Sequence, residues 1–576
     1  MSRINQAMQD LLRYNGAMLK RERSTFDKSH SHTTTFDSGY IIPLMWDRVL
    51  PGDEKEIRFS GLCRMATPIH PVMDECVFDV HAFYVPDRLW WEHAKNFYGE
   101  NLDADFNPDG EYQMPYFKPS EYLVDTSGGG YTDGVGSLND FFGFPAIDKI
   151  KAEQAGVLAL YDADPDLYCT AGLHRSYQLI CNEWYRNSSI EPAAILNQGD
   201  TVTPQELAND MVLRKSNYLP DYFMTLLREP QAGPDVMLPL AEYAPVVATN
   251  EDHAIDQPIK YVDAAGNPYV NLGNVPLGLS GNGSSASVIG VDSSDNLGTV
   301  TYAYPSNLWA KLLDTGVSTI NNLRSAITIQ HFLETQNRAG KRYQSILASF
   351  FGVLTPDATL QRPELLGSTR TSLNIRQVIQ TSETSNDSPL GNIGAYSLTD
   401  MTNELICNKG FTEPGFILVL GTVRPVISYS QGLNPLLTKI NLYDHYFPVF
   451  DNIGNQPVYN KNLFFSNGLN QEQFEDVERL NGVFGYQEAH TEYKIMNNRV
   501  SGLMRPDVPQ NLSSWNYAVS YNTVPTLSAD FIHVDEELIE RTIATPDEPH
   551  FICDCYFYYK DTKSMSVHSI PGLQTI

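Results

Sequence analysis

The chain has 576 residues, 42% hydrophobic and 11% aromatic, with 40 Lys and Arg against 69 Asp and Glu for a formal net charge of −29. That length can bury a large core, and charged residues at 19% fall below the roughly 25% usual in soluble domains. So acidic a chain is excluded as a general polyanion binder, because nucleic-acid affinity rests mainly on cations that neutralise phosphates. If it encloses nucleic acid, another component has to bring most of the positive charge.

Residues 1–30 differ from the rest. They hold six basic residues (Arg3, Arg13, Lys20, Arg21, Arg23 and Lys28) against three acids, a basic N-terminal arm that is either an untidy terminus, the commoner case, or a segment facing a polyanion. No apolar signal core stands there, and no apolar run reaches the roughly 18 residues that span a membrane. The expectation is a soluble protein with no cleaved signal and no membrane insertion. Strand signals follow at Glu56–Cys63 and Val77–Val85, the second ended by Pro86. A helix is expected over His174–Arg186, with His174, Tyr177, Cys181 and Trp184 on one face. Between Asn250 and Tyr304 the sequence turns to small polar residues and turn formers, which predicts a long surface excursion with little core of its own. A second helix is expected from Ser318 to Asn337, carrying Ile320, Leu323 and Ile327 on one side as a packing stripe. Strand signals return at Gly415–Val423, Val426–Tyr429 and Phe551–Tyr559. Strands gathered near both ends, with mixed sequence between them, fit a barrel joined by very long excursions.

Seven cysteines without CxxC spacing predict reduced, mostly buried thiols. Cys553 and Cys555 would share one strand face, as packing and not as a metal site. Catalytic signatures are absent. Ala339–Arg342 carries a Gly-Lys pair but no phosphate loop, and Gly278-Leu-Ser-Gly281 is one residue short of a nucleophile elbow. His30 and His32 form an isolated H-x-H, and the carboxylate pairs Asp53–Glu54 and Glu536–Glu537 arise readily among so many acids. No catalytic residue, metal ligand or cofactor is assigned, though a structural divalent cation stays open.

A series of segments then sharpens the picture. Phe26-Asp-Lys-Ser-His30, Gly39-Tyr-Ile-Ile-Pro43, Val49-Leu-Pro-Gly-Asp53 and Phe83-Tyr-Val-Pro-Asp-Arg-Leu89 resemble the opening of the major capsid proteins of Microviridae, especially the gokushovirus branch. Asn182-Glu-Trp-Tyr-Arg186, Phe350-Phe-Gly-Val353 and Leu360-Gln-Arg-Pro-Glu-Leu-Leu-Gly367 continue in order. So do Tyr429-Ser-Gln-Gly-Leu-Asn434, Phe484-Gly-Tyr-Gln-Glu488 and Ser569-Ile-Pro-Gly-Leu573. The resemblance covers nearly the whole chain, with Asn250–Tyr304 as the main stretch lacking matching motifs.

The resemblance implies a mainly β fold: an eight-stranded antiparallel jelly-roll barrel over 31–576, with long inter-strand insertions containing helices. It implies sixty copies forming a T=1 icosahedral shell around circular single-stranded DNA, in a virion assembled in the host bacterial cytoplasm. Expected partners are a small basic DNA-packaging protein, a DNA pilot protein and a host surface receptor. The 250–304 loop is then the candidate three-fold protrusion, with Asn271, Asn274, Asn282, Ser284, Ser285, Asp292, Asp295 and Asn296 as candidate host contacts. Lys20, Arg21 and Arg23 are the candidate DNA-facing residues. The rival functions are a large β-rich glycan-processing enzyme, which needs two placed carboxylates across a cleft, and a phage receptor-binding protein, for which repeats or a stalk pattern would be expected.

Overall fold

The computed structural model describes residues 23–100, 112–127, 134–209, 211–236, 320–379, 393–466 and 477–568, with short strands between 246 and 310. Eight strands build the main body: β1 (His30–Phe36), β2 (Ile42–Val49), β3 (Glu54–Met65), β4 (Cys76–Pro86), β5 (Glu364–Ser372), β6 (Thr399–Gly410), β7 (Gly415–Pro425) and β8 (Phe551–Lys563). One antiparallel sheet runs β1–β8–β3–β6, and the other runs β5–β4–β7–β2. Neither sheet follows chain order, so each is closed by strands from both ends of the sequence.

The two sheets read differently in sequence because they are covered differently. Along β8, Phe551, Cys553, Cys555, Phe557 and Tyr559 are buried while Ile552 and Tyr556 are exposed. That alternation marks a sheet with one wet face. β7 is buried almost throughout. Its Ile417, Val419 and Val423 enter the core between the sheets, while Phe416, Leu418 and Leu420 pack on the opposite side with Trp90, Leu173 and Tyr177. Phe59 of β3 meets Phe78 of β4 edge-on with ring centroids 6.4 Å apart, and lies 5.4 Å from Phe557.

The layer over β7 centres on α1 (Gly172–Ile180), which continues as a π-turn over Cys181–Tyr185. Gly172 lets it approach closely. A Cβ there would lie 2.7 Å from the Phe416 ring and 2.8 Å from Trp90. Of the expected stripe, His174, Tyr177 and Cys181 are buried and Trp184 is half-buried against the same cluster.

Residues 231–335 form a second compact unit, set off from the unit made by 1–230 and 336–576. Within it Val246–Ala248 pairs with Leu308–Ala310, and Tyr261–Val262 with Tyr304–Pro305. Leu279–Gly281, Ala286–Val291 and Leu297–Val300 form a three-stranded antiparallel sheet. The expected long excursion thus carries short paired strands, which the small polar residues and turn formers around them hide in the sequence. Helix α2 (Ile320–Ala339) leaves Ile320, Leu323 and Ile327 exposed, so that stripe does not pack within the chain as expected.

Three further expectations shift. Val426–Tyr429 is not a strand: beyond Pro425 it makes only isolated bridges, Ser428 to Ala518 and Tyr429 to Arg499. The sheet begins inside the stretch assigned to the arm, since Ser24–Asp27 pairs with Lys560–Lys563 of β8. β1, β2, β5 and β6 carried no clear signal and form where long neighbours offer them a ladder. Among the described residues, no helix is long and apolar enough to cross a membrane.

Candidate functional site

The two ends of the described chain meet in one antiparallel sheet, over a buried charge network. Lys55 points inward from β3 and is fully buried. Its ammonium donates to Asp47 Oδ2 at 2.7 Å, Tyr559 Oη at 2.7 Å, Asp561 Oδ2 at 3.1 Å and the Arg48 carbonyl at 3.3 Å. Tyr559 in turn donates to Asp47. Lys28 reaches Asp47 at 2.7 Å, and Lys563 lies 3.3 Å from Asp53 and 3.1 Å from Asp561. Three lysines therefore offset three aspartates. Burial alone would raise the Asp47 carboxyl, but the Lys55 charge and the donors from Lys28, Lys55 and Tyr559 outweigh it and hold it at about 2. Burial and the neighbouring Asp47 push the Tyr559 hydroxyl far above its ordinary range, so it stays a donor. The network pins the N-terminal strand, β2, β3 and β8 together and fixes where residue 23 enters the sheet.

Arg23 is exposed, and its guanidinium donates to the Gly52 carbonyl at 2.5 Å. Lys20 and Arg21 lie outside the described residues, as do Asn271, Asn274, Asn282, Ser284, Ser285, Asp292, Asp295 and Asn296. In sequence, Asn282, Ser284 and Ser285 fall between the strands Leu279–Gly281 and Ala286–Val291, and Asp292, Asp295 and Asn296 between the latter and Leu297–Val300.

The side chains that hinted at chemistry hold the fold instead. His30 and His32 bond through Nδ1 to the carbonyls of Lys28 and Leu44 at 2.9 and 2.8 Å. Glu536 accepts from Tyr40 and Lys215. Arg342 donates to the carbonyls of Asn182 and Arg186, both at 2.8 Å. His174 is buried among Phe117, Phe142 and Phe144, with Nε2 at 2.7 Å from Asn139 Oδ1. Its burial lowers it to about 3 and keeps it neutral. Six of the seven cysteines are buried and all are free thiols; Cys553 and Cys555 share the inner face with sulfurs 3.5 Å apart. Among the described residues, no three His, Cys, Asp or Glu side chains group as metal ligands would.

The main body is two antiparallel sheets, an architecture that by itself assigns no function. The chain belongs to the capsid protein (F protein) family, whose sequence pattern matches residues 17–573. It is similar to the capsid protein VP1 of Chlamydia phage 1, with 33% identity covering 96% of each chain. It is also similar to capsid protein VP1 of Spiroplasma virus 4, with 31% identity over 100% of this chain and 99% of the other, and of Bdellovibrio phage phiMH2K, with 30% over 96% and 95%. The family resemblance carried by the short colinear segments is therefore the family found across the whole chain. This protein is a capsid protein of a phage virion and not an enzyme.

Proposed function

We propose that sixty copies of this chain close into a small T=1 icosahedral shell around circular single-stranded DNA, with the main body as an eight-stranded jelly roll. The observation that carries this reading is the strand order, β1–β8–β3–β6 facing β2–β7–β4–β5, in a member of a capsid family. Two such interleaved four-stranded sheets are what two Greek keys produce. The wedge leaves its loops free at the corners to meet identical neighbours under closed symmetry.

Charge shapes the rest. Protomers of −29 repel one another and a genome unless acids are segregated or neutralised. A small basic packaging protein accompanying the DNA supplies the neutralisation, and the basic arm with Lys20, Arg21 and Arg23 faces inward. The insertion between residues 250 and 304 is the outward projection that meets the host receptor. A DNA pilot protein completes the particle, and assembly takes place in the host bacterial cytoplasm. Negative-stain microscopy of the expressed chain together with its genome tests the reading. Small isometric particles holding nuclease-protected single-stranded DNA are expected, and a persistent monomer would overturn it. Replacing Lys20, Arg21 and Arg23 with Gln lowers DNA per particle if the arm faces the genome; unchanged packaging refutes that assignment.

A further inference from the structure

One segment of the larger unit breaks the usual rule for a soluble surface. From Pro435 to Ile453 the chain makes three short 3₁₀ turns, Pro435–Thr438, Leu442–Asp444 and Pro448–Phe450, with no strand or long helix. Leu437, Ile440, Leu442, Tyr443 and Val449 are between 65 and 88% exposed. Scattered apolar residues on a surface are ordinary, but a contiguous apolar patch marks an interaction site.

The segment is nevertheless built, not loose. Asn434 Oδ1 accepts from the Leu436 amide at 2.9 Å, and Asp444 Oδ2 accepts from the amides of Ile440 and Asn441 at 3.2 and 2.9 Å. Lys439 donates to the Asp444 carbonyl at 2.7 Å and pairs with Glu492 at 2.5 Å. Tyr446 packs edge-on against the buried His490 ring at 5.1 Å. Lys439 and Asp444 are thus already bonded inside the chain, and the third charge, the exposed Asp451, accepts from Tyr446 Oη at 3.5 Å. Ten of the nineteen residues from Pro435 to Ile453 are Leu, Ile, Val, Tyr or Phe, and aromatic enrichment is a mark of interfaces.

We infer that the Pro435–Ile453 segment is a preformed contact surface that seats against a second copy of this chain. The inference rests on the capsid reading, because a shell of identical chains needs a self-association surface on each. The area agrees: those five side chains expose on the order of 600 Å², near the roughly 800 Å² that one partner gives to a standard interface.

Two variants test it, with assembly of the wild-type chain run alongside. Ile440→Asp, Leu442→Glu and Val449→Asp combined should leave the fold intact by circular dichroism, since these side chains touch solvent. Its particle yield should fall below about a tenth of wild type, because each buried carboxylate lacks a partner. Wild-type yield from this variant overturns the inference. Val449→Cys supplies an independent readout, because six of the seven native thiols are buried. Maleimide labelling at this site should be at least about 10-fold slower in particles than in unassembled chains, as a closed contact excludes water and reagent. Equal rates overturn the inference even if the triple variant misfolds. Failure of the wild-type chain to form particles would instead strike the capsid reading.

Discussion

Lys55→Met removes the one ammonium that bonds Asp47, Tyr559 and Asp561 together. The methionine keeps the length of the stem and deletes the charge, leaving Lys28 and Lys563 at the rim to face Asp47, Asp53 and Asp561. Removing one partner from a buried ion pair costs roughly 3–5 kcal/mol, mostly from the charge left behind. The larger unit has about 470 residues, and at roughly 2.1 cal/mol/K of unfolding entropy per residue its total is about 1 kcal/mol/K. The melting midpoint of the unassembled chain, followed by aromatic fluorescence, should therefore fall by about 3–5 °C. Lys55→Met combined with Asp561→Asn should lose less than the two single changes added, because both act on one network. A drop under about 1 °C for the single variant, or strict additivity, would show that the network is hydrated and does not pin the strands.

Acid separates two other groups. The depressed Asp47 carboxyl contributes stability that is fully present above its ordinary 3.8 and is lost progressively as pH falls from there through about 2, worth about 2 kcal/mol at neutral pH. Asp47→Asn should therefore destabilise alike at pH 7 and pH 5, and an effect confined to pH 7 would refute this. His174 runs the other way: lowered from 6.5 to about 3 by burial, it takes up protons in the unfolded chain first, so stability drains as pH falls from about 6.5 toward 3. Guanidinium midpoints at pH 7 and 4.5 should fall less for His174→Gln than for wild type; equal falls would exclude a buried neutral imidazole. Gly172→Ala places a methyl 2.7 Å from the Phe416 ring and should cost about 1–3 kcal/mol by overpacking, read as a lower thermal midpoint.

Part of the two sheets was legible because two covering patterns leave distinct traces. β8 announces its wet face by alternation, and β7 its two covered faces by an unbroken apolar run. The charge network was missed although a trace existed. Lys55 stands on the same strand parity as Ile57 and Phe59, and Asp561 on that of Cys555 and Phe557, a misplaced charge on an inward face at each end of the chain. Nothing local says that these two charges meet. The apolar Pro435–Ile453 segment was equally invisible, since exposure is not written in composition.

By itself, the sequence determined the family, the absence of catalytic spacing, and those strands whose burial imposes a period of two or a continuous apolar run. Only the tertiary structure decided the polar strands β5 and β6, which exist because β4 and β3 offer open ladders. It also decided the strand pairing inside the small-residue insertion and the inward meeting of Lys55 with Asp47 and Asp561. The physical reason is common to all three. Each depends on a partner across a turn or hundreds of residues away, as Asp47 and Asp561 are from Lys55, or on backbone groups, and none of these leaves a local side-chain pattern.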